Sequence, residues 1–292
     1  MSIEFILIGI QQGLILAIIS FAIMVPFRFL NLPDLTADGS YPLGGAVYAG
    51  LVLMGFDQVL SFGVGVLCAG LMGVATSQVI IRMKVNSLLA GIILSTMAYS
   101  LNLRILGKPN IMLSQSLHIS LLGILMILSL IAILFYNFLH TEYGLHFRAT
   151  GLNSVFASKR KIKINKNITF GFFFAASLSG LAGCLMVQIQ QYADVGMGVG
   201  IVIHGLASLM IGEAILGNQN IKRQLLSPVV GALIYQQIQG LVLFCGLAPS
   251  DLKFFTGAVV LGVIAMQKKT TSRNLVIILS FSRKLRFSGL DS

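Results

Sequence analysis

Residues 5–27 read FILIGIQQGLILAIISFAIMVPF, twenty-three positions without one Asp, Glu, Lys or Arg. A helix needs about 20 mostly apolar residues to cross a hydrocarbon core of about 30 Å. The backbone of any spanning segment must also satisfy its own N–H and C=O groups, which favours helix. Strands of a membrane barrel would alternate polar and apolar residues, and this stretch does not. The same reading extends along the chain. Residues 58–81, 85–103, 109–141, 167–193 and 224–250 are likewise free of charge and long enough, and 39–56, 195–212 and 254–267 are shorter apolar segments. The expected fold is all-α: a polytopic transmembrane helical bundle of about 8–10 spans, nine by direct count.

Composition agrees with this. Of 292 residues, 56% are hydrophobic and 10% charged, against roughly a quarter charged in soluble domains. A water-soluble enzyme and a disordered chain are both excluded. The net charge of +11 reads as basic loops on one membrane face, not as a nucleic-acid surface. Six of the basic residues lie between Arg148 and Lys166, and six more between Lys268 and Arg286. By the positive-inside rule both groups are cytoplasmic, with Arg82, Lys84, Lys222 and Arg223 on the same side and Asp57, Asp194 and Asp251 opposite. Arg104, Lys108 and Lys253 are isolated exceptions. Nine spans put Glu4 outside. The start Met-Ser-Ile-Glu lacks a basic region, so the first apolar stretch is expected to stay as a helix and not to be cleaved. Residues 1–267 are expected to form the membrane domain, and 268–292 a basic tail whose short apolar run 275–281 can rest on the membrane surface. Cys68, Cys184 and Cys245 sit in apolar runs as small buried hydrophobes.

The segments fall into two halves of similar hydropathy, each with a full span followed by a short Gly/Pro-interrupted segment. These interruptions are residues 31–45 and the run Gly196-Met197-Gly198-Val199-Gly200. Such corresponding breaks point to a transport path with inverted halves, although Gly and Pro are also simply common in membrane helices. Gly9 and Gly13, and the stripe Ser177, Gly180, Gly183 and Cys184, read as helix-packing positions. No phosphate-binding G-x-x-x-x-G-K-[ST], no H-E-x-x-H and no nucleophile elbow occurs, so an enzyme has no support, and no cofactor or metal site is expected. Ionisable residues at membrane depth are costly and often functional. Asp34 and Asp38 flank Thr36 in a proline-bounded stretch that reads either as an interfacial capped turn or as a broken helix lining a path. Glu213 lies toward the cytoplasmic end, where an interfacial or partner contact fits better than proton transfer, and His204 has no evident partner. Residues 141–167 are long for a connection. They read either as a solvated, lipid-attracted basic loop or as a short helix docking a partner through Phe147, Val155, Phe156 and Ile162.

Three segments resemble the membrane permeases of ABC importers of the branched-chain amino-acid and simple-sugar type. They are Arg28-Phe29-Leu30-Asn31-Leu32-Pro33-Asp34-Leu35-Thr36-Ala37-Asp38-Gly39, then Tyr143 through Asn153, and Gly171 through Gly183; Gly205 to Glu213 also resembles a subgroup pattern. The form of the first is similar to a bacterial subgroup that works with lipoprotein binding proteins and is linked to amino acids. The resemblance covers roughly residues 5–267. It implies a translocation subunit in the bacterial inner membrane, paired with a second permease subunit (homo- or heterodimer), a cytoplasmic ATP-binding subunit that hydrolyses ATP, and an extracytoplasmic substrate-binding protein, surrounded by membrane lipids and without nucleic acid. It implies pathway or gating roles for Asn31, Asp34, Thr36, Asp38 and Glu213. It further implies ATPase coupling by Gly144, Arg148, Ala149, Thr150, Gly151 and Asn153. One stretch departs from the family: Phe156-Ala157-Ser158-Lys159-Arg160-Lys161-Ile162-Lys163-Ile164 is far more basic than usual and lacks the expected Gly-Ile. Members commonly also have an even span number with the N-terminus inside. The rival readings are an ion-gradient-driven carrier, a sugar or nucleoside permease, and, more weakly, a membrane scaffold or insertion factor.

Overall fold

A computed structural model describes residues 3–113, 119–217 and 220–244, with a few positions between 246 and 262. The order is α1 (Ile3–Met24) continuing as a π-helical turn (Val25–Phe29), α2 (Ala37–Leu53), α3 (Gln58–Met83), α4 (Ser87–Leu106), β1 (Asn110–Met112), α5 (Leu121–His140), α6 (Glu142–Leu152), α7 (Ser154–Lys159), α8 (Ile164–Gln190), β2 (Tyr192–Asp194), α9 (Ile201–Leu216) and α10 (Ile221–Phe244). Six helices among the described residues are long and apolar enough to cross a membrane: α1 with its π turn, α3, α4, α5, α8 and α10. Of the remaining helices, α2 with 17 residues and α9 with 16 correspond to the two interrupted segments. The ninth expected segment, 254–267, lies almost wholly outside the described residues, as do Cys245 and the tail 268–292.

Side-chain caps open five of the helices. Asp57 accepts from Val59 N and Leu60 N at 3.1 and 3.3 Å to open α3, and Asn86 accepts from Leu88 N at 3.1 Å to open α4. Ser120, Thr141 and Asn153 do the same for α5, α6 and α7. The run 109–141, expected as one apolar segment, is divided. Its first residues form a two-stranded antiparallel ribbon with β2, Ile111 opposite Ala193, and the helix starts only at Leu121. Ribbon pairing satisfies backbone groups of residues 110–112, and Val195 N donates to Pro109 O at 3.0 Å.

The ends sort onto two faces. The basic face carries the end of α1, α6, α7, the α3–α4 turn and the start of α8. The other carries the ribbon, Asp57 and the start of α1, whose Gly9 lies against Gln237 of α10. The core surrounds α1, where Ile15, Ile18, Ile19, Phe21 and Met24 are fully buried among α8, α9 and α10. The two short helices start together inside the bundle and run in opposite directions, α9 toward the basic face and α2 toward the other. The chain is therefore inverted between its halves in the sense expected for a transport fold. α2 packs against α8 at backbone distance: a Cβ on Gly44 would stand 2.6 Å from Gly180 Cα. Small residues permit this approach where lipid offers no hydrophobic drive.

Candidate functional site

The π turn that ends α1 contains Pro26, which has no N–H to give. The chain then turns at Asn31 with φ of 54° and re-enters the bundle. Inside it, Asp34 is buried and accepts from Thr36 N at 2.9 Å and from the Thr36 hydroxyl. Thr36 Oγ1 lies 3.2 Å from Thr76 Oγ1 of α3, itself bonded to Met72 O, so the start of α2 is fastened to α3 by side chains. Gly91 of α4 closes over this turn: a Cβ there would lie 2.9 Å from Asp34 Oδ1.

Asp38, in the first turn of α2, accepts from Val202 N of α9 at 3.0 Å. The starts of the two short helices thus meet inside the bundle, and one carboxylate lies at both. Each helix start carries a partial positive charge of roughly half an elementary unit, which the carboxylate offsets. Beside Asp38 opens a cavity of about 270 Å³, lined by Pro42, Ser95, Thr96, Tyr99, Asn102, Val195 and Val199. Asn102 is fully buried, and neither atom of its amide has a partner among the described residues. A buried amide left without a partner costs about 1–3 kcal/mol.

At the basic end of the same seam, Arg28 and Glu213 form a two-pronged ion pair, with Nε to Oε1 at 2.7 Å and Nη2 to Oε2 closing the second bond. Glu213 is 6% exposed and Arg28 38% at the side chain. The pair ties the end of α1 to the end of α9. Fork-to-carboxylate geometry suits Arg and explains why Glu213 is tolerated there.

Against the end of α1 lies α6. Its inward positions are Gly144, Phe147 and Gly151. A Cβ on Gly151 would collide with Phe29 O and lie 2.8 Å from Leu30 Cα, so α6 rests directly on the π turn. Asn167 of α8 donates to Thr150 Oγ1 at 2.8 Å and His146 O at 3.3 Å, holding a second side of α6. The third side is open: Leu145 is 57% and Leu152 87% exposed, with Ala149 between them. Asn153 caps α7 through Phe156 N at 2.9 Å. Arg148 is half-buried and its Nε has no partner among the described residues.

The predicted residues are therefore brought together only in part. Of the five pathway residues, Asp38 alone lines the cavity. Asp34 and Thr36 build the turn beneath it, Glu213 sits at the basic end and Asn31 is an exposed turn residue. Phe147, grouped in the sequence with outward-docking residues, is 1% exposed and belongs to the core, because position 147 shares the inward face of α6 with Gly144 and Gly151. His204 is not partnerless: its Nδ1 lies 2.7 Å from Tyr235 Oη of α10. Sequence reading missed Arg28, Thr76, Ser95, Thr96, Tyr99 and Asn102. A polar amide inside the apolar run 85–103 was a usable signal for Asn102, whereas the partner of Glu213 lies 185 positions away.

Residues 5–264 match the family described as the permease component of branched-chain amino acid transport systems. The chain belongs to that family. The permease is 32% identical over 260 residues to a protein of Clostridioides difficile (strain R20291) named as a tyrosine transport system permease, covering 87% of this chain and 88% of that one. It is 29% identical over 263 residues to an uncharacterized protein of Rickettsia prowazekii (strain Madrid E), covering 86% and 93%. No solved structure matches the permease significantly. It is a multi-pass membrane protein and the translocation subunit of an ABC importer.

Proposed function

We infer that the permease carries amino acids, aromatic ones included, across a bacterial inner membrane along a path that passes the Asp38 cavity. The observation that supports this is the meeting of two short-helix starts at Asp38, beside a small polar cavity with an unsatisfied Asn102 amide. Half-helix starts near the bilayer midplane are where charged and polar groups of a substrate find partners without water. An amino acid offers an ammonium for Asp38 and a carboxylate and backbone polar groups for Asn102, Ser95, Thr96 and Tyr99. At about 270 Å³ the cavity suits a small metabolite. A second permease subunit faces this one across the path, and an external binding protein delivers the substrate.

Hydrolysis of ATP belongs to a separate cytoplasmic subunit, seated on the open stripe Leu145, Ala149 and Leu152. Movement of that subunit is transmitted through Gly151 to the carbonyl of Phe29. Arg28, one residue back, passes it to α9 through Glu213, and the Asn31 turn passes it to α2. Both short helices thereby shift together, and Asp38, placed at both starts, marks the point where access alternates.

The test is uptake by the permease reconstituted with its ATPase and binding protein, with labelled tyrosine, leucine and ribose as alternatives. ATP-dependent uptake of an amino acid that falls strongly in Asp38→Asn and Asn102→Leu is the expected result. Uptake of ribose alone, or uptake driven by an ion gradient without the ATPase, would overturn the reading.

A further inference from the structure

A second cleft, of about 610 Å³, opens on the basic face between the end of α5, α6, the α7–α8 connection and the start of α8. Arg160, Lys161, Lys163 and Lys166 line it together with Phe138, Tyr143, Phe147 and Phe170. None of the four cations has an ion-pair partner among the described residues, where the ion pair found is Arg28 with Glu213. The first turn of α8 contains no acidic residue, and Glu142, on the adjacent α6, is exposed and does not line the cleft. Four like charges gathered around one concavity repel one another unless an anion enters it.

The aromatic side chains say which anion. Phe138 and Phe170 stand 5.3 Å apart and Phe147 and Phe170 6.4 Å, centroid to centroid. Phe170 is 45% exposed, and α5 beside it presents Ile133 and Leu134 outward, 58% and 59% exposed. The aromatic side chains of the cleft thus stand beside the exposed apolar surface of α5, near its end on the basic face. A soluble phosphate would use only the cations. The open stripe of α6 offered to the ATPase, Leu145 to Leu152, is a different side of that helix from Tyr143 and His146, which face the cleft.

We propose that this cleft is a binding site for one anionic phospholipid, whose phosphodiester is held by Lys161, Lys163, Lys166 and Arg160 while its acyl chains follow Phe138 and Phe170 along α5. Juxtamembrane basic clusters attract anionic headgroups in general. The cleft adds a concave seat and an apolar wall, and so a preference for one bound molecule over diffuse attraction. It explains the basic residues Arg160, Lys161 and Lys163 of the departing stretch 156–164 as a lipid contact.

The experiment uses the full-length protein in nanodiscs of phosphatidylcholine containing a minor share of phosphatidylglycerol, followed by gentle detergent extraction and counting of retained lipid by native mass spectrometry. One retained phosphatidylglycerol per chain, with phosphatidylcholine lost, is expected. Lys161→Gln, Lys163→Gln and Lys166→Gln together are expected to lower retention by about tenfold or more. Lys84→Gln, Lys159→Gln and Lys222→Gln, which remove the same charge from the same face outside the cleft, leave it within about twofold. The corresponding Arg variants of the cleft lysines keep it, and Phe170→Ala weakens it with all charges present. Equal losses in the two Gln triples would reduce the site to general surface attraction and overturn the proposal. The wild-type protein decides the matter even where a variant fails to fold: equal retention of phosphatidylcholine, or displacement by millimolar glycerol phosphate or inorganic phosphate, defeats the lipid assignment.

Discussion

Along the seam between the α1–α2 turn and α9, Asp34, Asp38 and Glu213 are held by Thr36, Val202 N and Arg28. In the segment that joins α6 to α8, four cations line an open cleft without ion-pair partners among the described residues, and Leu145, Leu152, Val155 and Phe156 face outward. The first region is complete within one chain, because a charge inside a bilayer must be paired or it is too costly to keep. The second faces water and headgroups, where unpaired charge is cheap and exposed apolar surface marks a contact surface. Changes in the seam are therefore expected to lower stability as well as uptake, and changes on the basic face to act on partner binding.

The largest effect is expected where pairing is most complete. Arg28→Ala leaves Glu213 buried and unpaired, and should cost on the order of 3 kcal/mol of stability, read as a lowered thermal midpoint of the purified permease. Arg28→Met with Glu213→Leu removes both charges and should recover most of that loss, while uptake stays impaired because the tie between α1 and α9 no longer carries movement. A double variant as unstable as Arg28→Ala would contradict the role given to this pair. Next is Gly151→Leu, which must push α6 off the Phe29 carbonyl, with a destabilisation of about 1–3 kcal/mol and loss of ATP-driven uptake.

Thr36→Val is a smaller break in the seam. It removes the hydroxyl that serves Asp34 and Thr76, and should cost about 1 kcal/mol, measurable by the same unfolding assay. The other side of the comparison is sharpened by Leu145→Ser with Leu152→Ser. Stability is expected to stay within about 0.5 kcal/mol, since both side chains already face solvent, while co-purification of the ATPase is lost. A variant that destabilises the chain but keeps the ATPase bound would place α6 with the seam and dissolve the distinction.

Much of this was legible along the chain because bilayer solvation acts on runs. Six charge-free stretches became the six long helices, and the Gly/Pro breaks at 31–45 and 196–200 became the starts of the two short ones. The basic face followed from Lys and Arg counts for the same reason. Asp38 stood out as a carboxylate within an apolar region, but the sequence left open whether it caps an interfacial turn or lines a broken helix. The ribbon at residues 110–112 was not, because its partner strand lies some eighty residues on and no local pattern announces it. Phe147 was misread because apolar spacing alone does not tell which face of a short helix turns inward. That depended on Gly144 and Gly151 allowing backbone contact on one side only.

By itself, then, the amino-acid sequence determined a helical membrane protein with a basic face and two interrupted helices, since hydrophobicity and charge are properties of segments. Tertiary structure alone decided that Arg28 meets Glu213, that Asp38 lies at the starts of both α2 and α9, that Asn102 faces a cavity, and that the lysines of residues 161–166 share a cleft with Phe138 and Phe170. These are pairings between residues far apart in the chain. They are selected by packing and by the cost of leaving buried charge and amide groups unmet, which no single segment can express.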